Sequence, residues 1–69
     1  MKDRIAAALR AAAEREGWNA TRIAATVGKS EASARQWLKG SAEMSASDFQ
    51  VLRNELPGFA NLVDAKVAA

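Results

Sequence analysis

The chain has 69 residues, a formal net charge of +2, and neither Cys nor His. That length is one domain's worth. The missing Cys removes disulfide staples and thiolate metal ligands, and the missing His removes the commonest general base. Hydrophobic residues make up 49% of the sequence, but 17 of them are Ala, so large apolar side chains are few and a modest stability is expected.

Charge is unevenly spread. Residues 1–40 hold eight Lys or Arg against four acids, whereas residues 41–69 hold two against four. A basic front and an acidic back suit a protein that turns one face toward phosphates. The competing reading is an ordinary solvated helix surface. No stretch approaches the ~18 apolar residues of a membrane span. The N-terminal MKDRIAAALRAAAERE carries acids and continues as an amphipathic helix, so it does not read as a signal peptide.

In chain order, Asp3 is expected to cap a first helix running to about Glu16, with Ile5, Leu9 and Ala12 on its inner face. Its Ala content gives it high intrinsic helix propensity. Arg10, Glu14 and Arg15 are expected on its solvated side. Gly17 ends it, Trp18 is expected to anchor the core, and Asn19 is a good cap for the next helix. A second helix follows over about residues 20–27, with Ile23, Ala24 and Val27 inward. Gly28 is the permissive turn residue, Ser30 opens a third helix over about residues 31–39, and Gly40 closes it. Residues 41–46 form a polar loop with Met44 as a gap-filler. Ser45 or Ser47 caps a fourth helix through Leu56, with Phe49, Leu52 and Leu56 inward and Asp48 in the first turn, where it favours the helix dipole. Pro57-Gly58 breaks that helix. Phe59, Leu62 and Val63 repeat the helical spacing in a short fifth helix to about Asp64, and the tail 65–69 is expected to fray. No run alternates with period two, so the expected class is all-α.

The window ATRIAATVGKSEASARQWLKG, residues 20–40, is the most informative. Ala24 is small where two helices cross closely, and a β-carbon at Gly28 would strain the turn. Ile23, Val27, Trp37 and Leu38 supply the apolar seat. Glu31, Ala32, Ser33, Arg35, Gln36 and Lys39 are left facing outward on the third helix. Short residues come first and longer polar ones follow, as close approach to base edges in a major groove requires. Gln36 matches adenine N6 and N7, Glu31 can accept from cytosine N4, Ala32 can touch a thymine methyl, and Ser33 can serve either role. Arg35 can fork onto guanine or hold a phosphate.

GKSEASARQWLKG resembles the helix-turn-helix of the phage Cro and lambda-type repressor family. In that family a Gly, a Ser, variable polar residues, an aromatic-Leu pair and a closing Gly recur at this spacing. The match is close over about 21 residues. It implies a single compact five-helix, lambda-repressor-like DNA-binding domain over 1–69, with the helix-turn-helix formed by the second and third helices. Carried over, the resemblance puts Glu31, Ala32 and Gln36 where the family reads bases, with Ser33 and Arg35 nearby. It puts Asn19, Thr21, Lys39 and Ser41 where the family grips phosphates. Arg22, Lys29 and Ser30 complete the expected phosphate set. The chain departs from the pattern at Ala34, usually a β-branched apolar residue, at Lys29, often apolar, and at Ala20, which lacks a polar contact often made there.

Two functions follow as expectations. The first is a sequence-specific double-stranded DNA-binding transcriptional regulator of Cro or repressor type. It acts as a weak homodimer on a pseudo-palindromic operator, strengthened by DNA, in a bacterial or phage-infected cytoplasm. The chain leaves no room for a separate assembly domain, so dimer contacts are expected from Leu56, Pro57, Phe59 and Leu62. The alternative is an antitoxin-like or adaptor protein-interaction module on the same fold, binding through the acidic C-terminal half. An enzyme is not expected, and neither is a metal, cofactor, small-molecule ligand or membrane partner. Trp18 and Trp37 could be read as a base-stacking pair for single strands, but their apolar-face positions favour the core.

Overall fold

Five helices follow one another through short connections: α1 (Lys2–Glu16), α2 (Ala20–Val27), α3 (Glu31–Lys39), α4 (Ala46–Glu55) and α5 (Phe59–Ala68). They are seen in a computed structural model that describes residues 2–68, with side chains described for residues 4–64. Among the described residues there is no strand, and the class is all-α.

The caps explain most of the boundaries. Asn19, Ser30 and Ser45 each adopt extended backbone and accept a bond from the N–H three residues on, at Arg22, Ser33 and Asp48. Each satisfies one of the orphan donors of a helix start. Ser45 is therefore the cap of α4, and Ser47 stands within the first turn. At the other ends, Gly28 and Gly40 take left-handed backbone at φ 73° and 79°. There the chain folds back so that Lys29 N–H reaches the Ala24 carbonyl and Ser41 N–H the Gln36 carbonyl, both at 3.0 Å. A β-carbon added at Gly28 would meet nothing within 4 Å, so Gly is needed there for its backbone conformation and not for space.

Two boundaries differ from expectation by more than one residue, while α4 takes Ala46 from the expected loop and ends at Glu55 with Leu56 as its C-cap. α1 begins at Lys2, ahead of Asp3, so Asp3 falls inside the first turn and is not the cap; its side chain lies outside the described residues. α5 continues to Ala68 instead of stopping near Asp64. The segment after Asp64 contains no Gly or Pro to stop it, and Ala and Lys favour helix. The expected fraying of 65–69 meets a continuous helix as far as Ala68, and Ala69 lies outside the described residues.

α1 packs on α5 and α3, α2 on α3 and α4, and α4 on α5. The core joins Ala8, Leu9, Ala12 and Ala13 of α1 with Ile23 and Ala24 of α2, Ala34 and Trp37 of α3, Leu52 of α4, and Leu56 and Phe59 around the last turn. Ala faces let helices approach closely, and the few large side chains fill what remains. Phe59, Leu9, Ile23, Leu52 and Leu56 are the largest fully buried side chains, each contributing about 1.5–3 kcal/mol relative to exposure. Phe49 meets Phe59 edge-to-face, with ring centroids 5.6 Å apart. Ile5, Trp18, Val27, Leu38, Met44, Phe49, Leu62 and Val63 are partly buried against this core.

Leu56 and Phe59 were expected at a dimer surface, and burial corrects that. They are 1% and 0% exposed within the single chain, because the Pro57-Gly58 turn folds them under the helices. Neither has apolar surface left to offer a second copy. Pro57 is exposed and Leu62 half-buried.

Candidate nucleic-acid interface

α2 and α3 are joined by Gly28, Lys29 and Ser30, and both helices are fixed at each end by their own caps. The inner side of α3 is settled by burial: Ala34 is fully buried and Trp37 is 6% exposed. Ala34 thus occupies an inward position on α3. Leu38 is half-buried. The outward side carries Glu31, Ala32, Arg35, Gln36 and Lys39, all exposed. Five of the six residues expected to face outward therefore do so.

Ser33 is the sixth, and it is half-buried. Its N–H donates to Ser30 Oγ at 3.2 Å and its hydroxyl accepts from the Ser30 hydroxyl at 3.1 Å. The two serines bind each other across the start of α3, which holds Ser33 toward the cap. Arg35 Nη2 donates to Glu31 Oε1 at 2.7 Å, an ion pair one turn apart on the exposed face.

The residues expected to grip phosphates fall at the start of α2, in the turn between α2 and α3, and at the end of α3. Asn19 spends its side-chain oxygen on the Arg22 N–H at 2.9 Å, which leaves its amide NH2 as a donor. The Arg22 guanidinium lies over the Trp18 ring, 4.6 Å from its centroid. Trp18 packs half-buried against the core, as expected of an anchor, with a cation over its ring. Thr21, Arg22, Lys29, Ser30 and Lys39 are exposed. Ser41 is exposed too, but its N–H and hydroxyl both donate to the Gln36 carbonyl, at 3.0 and 3.3 Å. As folded, both Ser41 donors turn back to the end of α3.

Arg10 has a role that its local pattern did not signal. Expected on the solvated side of α1, it remains exposed but its Nη1 donates to the Leu38 carbonyl. That carbonyl is among the last four of α3, which lack partners within the helix. Arg10 therefore ties α1 to the end of α3 and adds a positive charge where the helix dipole favours one. The two residues are 28 positions apart, so no helical spacing could reveal the contact.

Beside the buried side of Trp37 lies an open cleft of about 240 Å³ lined by Ile5, Trp37, Ala42, Glu43, Met44, Ala46 and Phe49. Met44 packs against the core, as expected, and also lines this cleft. Asp48, in the first turn of α4, is 7% exposed. No group of three or more acidic side chains among the described residues is placed to hold a metal ion. No helix among them is long and apolar enough to cross a membrane.

Comparison of the chain with protein-family models, with curated proteins and with solved structures finds no match. The functional reading therefore rests on the geometry of α2 and α3 and on the chemistry they expose.

Proposed function

We propose that the protein is a sequence-specific double-stranded DNA-binding regulator that enters the major groove with α3. The observation that carries this reading is the division of α3 into two sides. Its inner side is locked by Ala34 and Trp37, and its outer side presents Ala32 without bulk beside Arg35, Gln36 and Lys39. A helix of about 10–12 Å diameter with side chains fits the ~12 Å major groove. Gln36 suits adenine and Arg35 suits guanine. Asn19, Thr21, Arg22, Lys29 and Lys39 flank these readers as candidate phosphate donors.

The resemblance to Cro and lambda-type repressors supports the same reading and adds a dimer on two half-sites about one helical turn, ~34 Å, apart. With Leu56 and Phe59 committed to the core, the self-association surface is reduced to Pro57 and Leu62 among the residues considered. Association in free solution is accordingly weak and strengthened by DNA.

The alternative, an antitoxin-like or adaptor module, draws on the cleft beside Trp37, whose half-buried Ile5, Met44 and Phe49 could seat a side chain of another protein. Selection of bound duplexes from a random pool, followed by titration of the winner at several salt concentrations, separates the two. Groove binding yields an enriched motif and log K falling with log salt at about −0.9 per phosphate contacted. A pool that stays random, with no salt-dependent binding, favours the protein-interaction reading and counts against α3 as a DNA reader.

A further inference from the structure

Successive residues of a helix are about 100° apart, so residues four apart share a stripe along it. On the exposed side of α3, Glu31 and Arg35 form one stripe, and Ala32 and Gln36 form the next. In the second stripe Gln36 has no polar partner one turn back, since Ala32 has no polar group. The first is latched: Arg35 Nη2 and Glu31 Oε1 are 2.7 Å apart, with side chains 57% and 46% exposed.

This ion pair lies within one helix and ties α3 to nothing else. Its larger consequence concerns whatever Arg35 meets. Guanine O6 and N7 form a fixed acceptor pair that rewards a correctly aimed fork of donors, whereas a phosphate rewards positive charge in almost any orientation. The carboxylate contributes on both counts. It accepts from one nitrogen of the guanidinium and so biases the direction in which the remaining N–H groups are presented. It also offsets the charge of Arg35 and sets a negative charge against any backbone phosphate that approaches.

We propose that Glu31 is a specificity-determining positioning residue: it holds Arg35 for the guanine of a single G·C pair and keeps it from acting as a sequence-independent phosphate contact. The inference rests on α3 being the groove-facing helix. It resolves whether Arg35 forks onto a base or grips the backbone in favour of the base.

The test compares the protein with Glu31→Gln, Arg35→Ala, Arg35→Lys and the Glu31→Gln/Arg35→Ala double variant. Each is titrated against the selected duplex, its single-base-pair variants and a random duplex over a salt series. Circular dichroism is followed to confirm that the helices persist. Glu31→Gln should lose at least about 5-fold of the discrimination at one G·C position, the lower bound for a good bidentate contact. Its random-duplex binding should tighten, with a salt slope steeper by about 0.9 as Arg35 takes a phosphate. Arg35→Lys keeps the charge without the fork, so it should lose the same discrimination while binding the random duplex at least as well. In the Arg35→Ala background, Glu31→Gln should change that position no further.

Discrimination that survives Glu31→Gln at every base pair overturns the proposal while leaving α3 as the reader. The same holds if Glu31→Gln costs as much with Arg35 absent as with it present. A wild-type protein that shows no preference among duplexes overturns both this proposal and the reading it rests on.

Discussion

Two ion pairs of similar composition do different things in this molecule. Arg53 of α4 and Asp64 of α5 meet at 3.5 Å across two helices, and the same Arg53 lies 5.7 Å from the centroid of the Phe49 ring. That cation spans the C-terminal half and lies beside its aromatic pair. Glu31 and Arg35 meet within α3 and bridge nothing. In the C-terminal half the Arg53–Asp64 pair joins two helices. The α2–α3 unit satisfies its backbone with dedicated caps and leaves much of its outward polar chemistry uncommitted. The contrast separates a pair that joins two helices from a pair that leaves the outward side of α3 to the ligand of the proposed function.

Mutations can break or sharpen this contrast. The largest effects should be common to both halves, because the core is shared. Trp37→Ala and Phe59→Ala should each cost about 3–5 kcal/mol in urea denaturation, close to the whole stability of a domain this small. If Trp37→Ala alone were tolerated, α3 would not be anchored as described.

The halves should separate at the next level. Arg35→Ala with Gln36→Ala should remove about 1–3 kcal/mol of base discrimination per side chain while the urea midpoint barely moves, as read by paired binding and unfolding titrations. Smaller again are the caps. Ser30→Ala and Ser45→Ala should each lower stability by about 1 kcal/mol, but only Ser30→Ala should also weaken duplex binding, since Ser30 and Ser33 together set the start of α3. The smallest effect is Arg53→Ala, expected to cost less than about 1 kcal/mol because the pair is partly exposed. It should leave DNA affinity unchanged except through net charge.

Much of the architecture was legible because its signals are local. Asn19, Gly28, Ser30 and Gly40 each act on backbone within a few residues, so the limits of α2 and α3 followed from residue type alone. The outward set on α3 was readable from helical period for the same reason. What escaped depends on distant parts of the chain. The Arg10 bond to the Leu38 carbonyl is invisible to any helical wheel of α1. Leu56 was expected inward on the fourth helix and also, with Phe59, at a dimer contact, and the packing of α5 on α1 and α4 commits both to the core. Ser41 has the right type and place for a phosphate contact, yet the end of α3 claims both of its donors. Sequence pattern identifies which groups are polar and outward; partners elsewhere decide which of them stay free.

The most direct test of α3 as the reading helix is a map of backbone amide chemical shifts as a selected duplex is added to the folded protein. The expected map has its largest changes across Asn19–Arg22 and Lys29–Lys39, with the α4 and α5 amides little affected beyond a small patch near Pro57 and Leu62. Changes centred instead on α4 and α5, or on the cleft beside Trp37 with the outward face of α3 silent, would contradict the account.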